Sequence, residues 1–368
     1  MENVGKNVEL DAILQAAINE AKKGVGKLCI LVAGKTGVGK STLINTVFRG
    51  DFAKTGSGRP VTQEIEEISK PGHPLTIIDT KGLELEDYAK IKADLEAEIK
   101  RRAASENANE HVHLAWVCVQ SVADRVEEAE ISLCKFIKEL NIPLIVVVTK
   151  SKKNDPFVAK VRELIPQANY VLGVRAIEEY VEELESSLPM IGLDDLIGKT
   201  ADLLPEAQAR AYSNALSTKN KRALAEKIKR AEMEVNGAAA LAGAAAATPI
   251  PFSDAFTLVP IQVGMLAKIG STFGMEMTTT AITTIVTGAL GGSAATLVGR
   301  ALVSGVLKLI PGAGSVVGGT IAATTATALT KSLGNIYVAV LTDFCEKNPG
   351  VPIDVQHISA ELKKRFSF

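Results

Sequence analysis

The chain has 368 residues, of which 46% are hydrophobic, 23% charged and 4% aromatic, with a net charge of −1. That length points to two domains, and the apolar fraction supplies ample material for packed cores. A near-neutral chain with no block of five basic residues lacks the electrostatic footprint of a nucleic-acid protein, so no nucleic-acid partner is expected. Cys29, Cys118, Cys134 and Cys345 stand far apart, with no CxxC or Cys/His spacing, which reads as buried, reduced thiols. The opening MENVGKNVELDAILQ carries acids where a signal peptide has a basic and then an apolar region. Glu2 excludes myristoylation and the terminal RFSF has no cysteine to prenylate, so a cytoplasmic location is expected.

Leu10, Ile13, Leu14, Ala17 and Ile18 recur at helical spacing and predict an amphipathic helix over 8–23, a leading segment of about 1–24. Lys27 to Gly34 (KLCILVAG) reads as a buried strand, followed by a helix over 40–48. Leu75 to Asp79 is a second buried strand, and Tyr88, Ile91, Leu95 and Ile99 form a helical stripe. Residues 111–119 (HVHLAWVCV) read as a strand, 126–140 as a helix and 143–149 (PLIVVVT) as a strand. A helix over 157–165 and an extended segment over 168–174 complete the pattern. Buried strands alternating with amphipathic helices predict an α/β domain with a doubly wound, mostly parallel sheet over 25–205. Residues 206–235 read as one long charged helix with Pro205 in its first turn. From Gly237 the chain turns apolar, and 206–368 is expected to be an all-α helical domain.

The strongest chemical signal is Gly34-Lys-Thr-Gly-Val-Gly-Lys40-Ser41, a full GxxxxGK[ST] between a strand and a helix. Gly37 and Gly39 let the backbone curl so that successive N–H groups face phosphate, helped by the positive end of the helix that follows. Lys40 would neutralise β- and γ-phosphate charge, and Ser41 would ligate Mg²⁺. Gly34, Lys35, Thr36, Val38 and Thr42 complete the candidate loop ligands. Asp79-Thr80-Lys81-Gly82 is a DxxG at a strand end; Asp79 would hold Mg²⁺ through water and the Gly82 N–H would sense the γ-phosphate. Between them, Gly56-Ser-Gly-Arg-Pro-Val-Thr62 is a glycine-rich loop. Its Thr62 is the candidate to close over Mg²⁺ and the γ-phosphate, with Thr55 as a rival. Lys40, Thr62 and Gly82 form the candidate catalytic set.

A base-reading motif is expected after the strand ending at Thr149, in the form [NT]KxD. Thr149 and Lys150 fit, but Lys152 occupies the aspartate position and cannot accept a hydrogen bond. Asp155 is a candidate replacement, against the plainer reading of a solvated loop carboxylate. Arg175 and Ala176 could offer a backbone N–H to the base. His111 and His113 alternate near the start of a strand and no metal site is expected there, Trp116 reads as core, and Asp254 reads as a helix N-cap or a buried polar contact.

Together GKTGVGKS, GRPVT, DTKG and the TK of TKSK resemble the Era-like and septin-like (immunity-related) P-loop GTPases. The rear half resembles the YcjF-type helical domain of unknown function that follows such G domains. This second likeness is carried by TPIPFSD (248–254), LIPGAGSVVGG (309–319) and TKSLG (330–334). The resemblance implies GTP/GDP and Mg²⁺ as cofactors, cytosolic exposure and frequent membrane association. Many such enzymes place glutamine after the DxxG glycine; here Leu83 stands there, and Gly37 occupies the position of the asparagine used by potassium-stimulated members. Slow turnover is therefore expected, accelerated by a G-domain homodimer or a partner, with Arg59 as a candidate trans contact. The rival readings are a poorly hydrolysing scaffold that oligomerises and an ATP-using P-loop enzyme. The DxxG and the TK strand end argue against the second.

The apolar segment 237–330 is the expected contact for a membrane surface, as a peripheral binder, or for a protein effector. Residues 277–299 and 309–330 are uncharged and long enough to span a bilayer, which takes roughly 20 residues. Residues 277–299 hold seven threonines and four glycines, and 309–330 hold Pro311 and four glycines, which leaves both marginal for insertion. Gly288/Gly292 and Gly314/Gly318 favour close helix approach, which serves a soluble bundle and a membrane hairpin equally.

Overall fold

The computed structural model describes residues 12, 15–21, 26–50, 52, 57–60, 65–80, 88–181, 185–247, 254–290 and 323–366. The chain divides into two compact units, residues 26–223 and residues 1–25 with 224–368.

In the front unit, strands Leu28–Gly34 (β1), Ser57–Pro60 (β2), Ile65–Ser69 (β3), Leu75–Thr80 (β4), Leu114–Gln120 (β5), Leu144–Thr149 (β6) and Tyr170–Val174 (β7) form one sheet in the order β2-β3-β4-β1-β5-β6-β7. β1 runs parallel to β4 and β5, and β5, β6 and β7 continue parallel. The edge is antiparallel, β3 pairing with both β2 and β4. Every residue of β1 and of β6 is buried, as expected for strands covered by helices on both faces.

Helices Lys40–Val47 (α1), Tyr88–Ala103 (α2), Glu128–Glu139 (α3), Pro156–Leu164 (α4), Leu193–Leu203 (α5) and Glu206–Ala215 (α6) cover the sheet. Ile91, Leu95, Ile99, Leu133, Phe136 and Phe157 form one core with the sheet residues Leu31, Val117 and Val146. Elsewhere in the unit Trp116 is fully buried and stacked on Phe48 at 5.7 Å, with Tyr212 edge-on to Phe48. The Trp116 indole donates to Thr200 Oγ1 at 3.2 Å, so the core reading of this residue holds with its polar handle satisfied.

Several elements differ from the sequence expectations. The stretch 206–235 is not one helix: α6 ends at Ala215 and a new helix, Lys221–Ala246 (α7), begins after a break. Leu216 forms a bridge with Phe48, Ser217 N–H donates to Val47 O, and Asn220 Oδ1 accepts from the N–H groups of Arg222 and Ala223. Ser, Thr and Asn in 217–220 offer the backbone these local alternatives, which outweigh the periodic charge pattern. α6 accordingly packs in the front unit, and α7 runs on through Gly237 to Ala246. The strand expected from 111 starts at Leu114, because His111 and His113 are taken up in the lead-in. His113 Nδ1 accepts from Cys29 N–H and its Nε2 bonds to Ala108 O. The edge strands β2 and β3 and a hairpin of Glu179–Val181 (β8) with Ser186–Leu188 (β9) have no counterpart in the sequence reading.

The rear unit is helical: most of α7, then Asp254–Thr272 (α8), Thr279–Leu290 (α9), Ala323–Lys347 (α10) and Val355–Phe366 (α11). Val235, Val263, Leu266, Ile282, Leu333 and Leu362 share its core, together with Ala17, Ile18 and Ala21 from the helical residues 15–21. Glycines sit at the close approaches: a Cβ on Gly270 would meet Met277 Sδ at 2.4 Å, and one on Gly334 would meet Val235 Cγ2 at 2.6 Å. Among the described residues no helix is long and apolar enough to cross a membrane. Most of 309–330 and residues 291–299 of 277–299 lie outside the described residues, as do Gly292, Gly314 and Gly318. All four cysteines are buried and reduced, and burial pushes the Cys29, Cys118 and Cys134 thiols up to about 12.

Candidate nucleotide site

The carboxyl ends of β1, β4 and β6 bring Gly34, Asp79 and Thr149 to one edge of the sheet, the edge where open α/β sheets bind ligands. Two glycines make the loop after β1 geometrically accessible. Gly37 has φ 74° and Gly39 φ 104°, a region that side chains disfavour, and neither would meet an atom within 4 Å if it carried a Cβ. Among the described residues the space beside these two glycines is therefore open. Gly34 serves a different purpose, since a Cβ there would lie 2.5 Å from Cys118 O on the neighbouring strand.

Gly39 caps α1, so the first N–H groups of that helix point back into the loop. The buried Lys40 ammonium donates to Gly34 O at 2.8 Å and Lys35 O at 3.2 Å, which folds its side chain over the loop. Thr36, Ser41 and Thr42 are exposed beside it, and Val38 is buried. Lys35 forms an ion pair with Glu127, the residue whose side chain also closes a capping box at the start of α3 and pairs with Arg125 at 3.2 Å. Glu127 escaped the sequence reading because a glutamate, rather than Ser or Thr, occupies the cap position three residues before Glu130.

Asp79 stands opposite Val32 in the β1–β4 register. One of its oxygens is buried without a hydrogen-bond partner, and the neighbouring Thr80 hydroxyl is likewise unpaired. Burial pushes the Asp79 carboxyl up to about 6, with Glu66 adding to the effect and the Lys40 charge opposing it. Such an oxygen is suited to a metal-bound water. Thr55, Thr62, Gly82 and Leu83 lie outside the described residues, as does the side chain of Arg59.

At the other end, Thr149 Oγ1 donates to Val38 O and Lys150, itself at φ 52°, reaches across to Gly37 O at 3.1 Å. Beside them lies a cavity of about 170 Å³ bordered by Thr42, Lys150, Ala176, Ile177 and Glu179. Asp155 does not border it. The structure instead spends both its oxygens locally: Oδ1 accepts from Phe157 N–H as the N-cap of α4, and Oδ2 accepts from the Ser121 and Ser151 hydroxyls and the Lys152 N–H. Burial alone would raise the Asp155 carboxyl, but these bonds hold it below the ordinary value. Asp155 is a structural carboxylate, neither solvated nor aimed at a base, and Lys152 points to solvent. Arg175 is buried, with its two terminal nitrogens donating to Pro189 O and Ser151 O at 2.9 Å each. Glu179 lies in the run AIEEYVEEL, whose repeated glutamates carry no motif spacing that would single one out.

Residues 29–150 match a family described as 50S ribosome-binding GTPase, and residues 210–365 match a domain of unknown function. A GTPase Era of Xanthomonas axonopodis pv. citri is 27% identical over 213 residues, covering 55% of this chain and 64% of that protein. Translocase of chloroplast 90 of Arabidopsis thaliana is 41% identical over 85 residues, 21% of this chain and 11% of that protein. The chain thus spans less than two thirds of these relatives. Among solved structures, a probable GTP-binding protein engB is 24% identical, covering 40% of this chain and 88% of its own (TM-score 0.30). Era in complex with MgGDPNP and a 16S ribosomal RNA fragment is 20% identical, covering 49% and 58% (TM-score 0.30). The chain joins an Era-like P-loop GTPase domain to a C-terminal domain of a family whose function is unknown.

Proposed function

We propose that this protein is a Mg²⁺-dependent GTP-binding switch that hydrolyses GTP slowly on its own and uses its nucleotide state to control the helical rear domain. One observation carries the reading: beside the buried Lys40 ammonium stands Asp79 with a buried oxygen that no group among the described residues satisfies. That pairing fits a phosphate–metal group, with Lys40 and the loop N–H groups holding phosphate, and Ser41 and Asp79 holding the ion. Bound Mg²⁺ would supply charge neutralisation on the phosphates. Thr62 and Gly82 are the proposed γ-phosphate contacts. Slow turnover follows from Leu83, which can neither donate nor accept a hydrogen bond to orient water. We propose acceleration through a G-domain homodimer or a partner supplying an arginine, no nucleic-acid partner, and a cytoplasmic protein that reaches membranes only peripherally.

The test is direct. Heat-denaturing the purified protein and chromatographing what it releases should give GDP or GTP. Titration calorimetry should show Lys40→Ala losing affinity by about 100-fold, because charge-assisted bonds in a dry loop are removed. Equal affinity in Lys40→Ala and the wild type would overturn the reading.

A further inference from the structure

Among the described residues, the loop after β6 supplies no reader for the base. Lys152 replaces the usual acid and is exposed, and Asp155 is fully engaged by four donors. Guanine presents two adjacent donors, N1–H and N2–H, that a carboxylate satisfies together. Among the described residues, Glu179 is the one acidic residue bordering the cavity beside Lys150.

The architecture holds Glu179 at that place. Arg175 and Ile191 exchange both backbone hydrogen bonds where the chain leaves β7, and Glu179 pairs with Leu188 at the foot of the hairpin. Gly192 closes the loop at φ 71°; a Cβ there would lie 2.0 Å from Gly173 O, so the return path admits no side chain. Within this brace Arg175 is buried and its terminal nitrogens are taken, which leaves Nε–H as a buried donor with no hydrogen-bond partner. That Nε lies 4.0 Å from Glu179 Oε2. The Glu179 side chain is 57% exposed, so it has room to turn into the cavity, where Ile177 and the Lys150 stem supply apolar surface for a purine.

We propose that Glu179 is the guanine-reading carboxylate of this chain, accepting the N1 and N2 hydrogens of the base from a hairpin after β7 rather than from the loop after β6. The proposal rests on the nucleotide-site reading above.

The experiment is competition of GDP, ADP and xanthosine diphosphate against a fluorescent GDP analogue, in the wild type, Glu179→Gln, Asp155→Ala and Lys40→Ala. A glutamine amide keeps an acceptor for N1–H but presents a donor where guanine also donates, whereas xanthine carries an acceptor there. Glu179→Gln should therefore lose about 100-fold in GDP affinity and gain relative affinity for xanthosine diphosphate. Asp155→Ala should melt at a lower temperature with an unchanged GDP to xanthosine diphosphate ratio. Lys40-dependent GDP binding with a ratio indifferent to Glu179→Gln would overturn this assignment alone. A ratio that follows Asp155→Ala instead would do the same. A wild type that binds none of the three would overturn the nucleotide-site reading with it. A melting curve of Glu179→Gln matching the wild type shows that the exposed substitution has left the fold intact.

Discussion

Thr149 Oγ1 donates a 2.7 Å hydrogen bond to the carbonyl of Val38, fastening the end of β6 to the crown of the phosphate loop. Thr149 is buried, so its hydroxyl has no water to fall back on, and a second, longer bond of 3.3 Å reaches Val119 O. Thr149→Val keeps the shape and removes the buried bond to Val38 O together with its weaker branch to Val119 O. The expected cost is about 1–3 kcal/mol of stability in urea unfolding, with a parallel loss of GDP affinity because Val38 is no longer held. A stable variant with intact affinity would mean that the loop is positioned by its glycines alone.

How much of this was legible beforehand depends on the range of the forces involved. The phosphate loop could be read because glycine spacing and the strand-to-helix transition are local properties, and Gly37 and Gly39 take up the positive φ that the motif requires. The core strands could be read because burial on both faces makes them continuous apolar runs. Asp155 misled because its four donors come from Ser121, Ser151, Lys152 and Phe157, one of them 34 residues away. A carboxylate near a base-reading motif looks the same in sequence whether it faces a ligand or caps a helix. Glu179 was invisible for the converse reason: only the Arg175–Ile191 bridge carries it to the cavity. The break between α6 and α7 was missed because Leu216 is held by Phe48, a contact of high sequence separation.

Asp79, as the proposed Mg²⁺ residue, should make stability depend on pH and on that ion together. Its folded value of about 6 lies above its ordinary 3.8, so the native state favours the protonated form. Its contribution to the nucleotide-free protein is full below pH 3.8, falls as pH rises toward 6, and is lost above it. Asp79→Asn should flatten this part of the profile of melting temperature against pH, measured without nucleotide between pH 4 and 7. At pH 7.5 the wild type should gain melting temperature from Mg²⁺ with GDP over GDP alone, and Asp79→Asn should not. A variant that retains the Mg²⁺ gain would remove Asp79 from the metal site.

Two helical glycines of the rear unit should respond oppositely to the same change. Gly237 is exposed inside α7 and a Cβ there meets nothing within 4 Å, so Gly237→Ala should stabilise by about 1 kcal/mol through helix propensity. Gly334 is buried inside α10 against Val235 Cγ2 at 2.6 Å and Cγ1 at 2.9 Å, atoms of a stiff β-branched side chain. Overpacking of about 1–3 kcal/mol should outweigh the propensity gain, so Gly334→Ala should destabilise. Thermal melts of the two variants against the wild type decide it, and equal shifts of one sign would show that helix crossing distances do not limit this unit.

The rear domain's relation to membranes turns on whether its apolar face can be released. α9 buries Ile282, Ile285 and Val286, and Ser359 of α11 donates to the carbonyl of Thr284 at 2.8 Å. In this packed arrangement the face is not available to lipid, and no described helix can span a bilayer. Threonine and glycine leave 277–299 and 309–330 weakly apolar, since even strongly apolar residues contribute only about −0.3 to −0.6 kcal/mol each to insertion. We propose that packing and insertion are close enough in free energy for a nucleotide-driven shift of a few kcal/mol to choose between them. Flotation with phosphatidylcholine–phosphatidylserine vesicles should leave the protein in solution with GDP, and recruit it with a slowly hydrolysed GTP analogue. Lys40→Ala should stay in solution in both. Because α9 holds its face against α11, a disulfide joining the two helices should abolish recruitment while leaving GTP affinity unchanged. Recruitment in no nucleotide state would assign the 237–330 segment to a protein partner, and recruitment equal in all states would detach it from the switch.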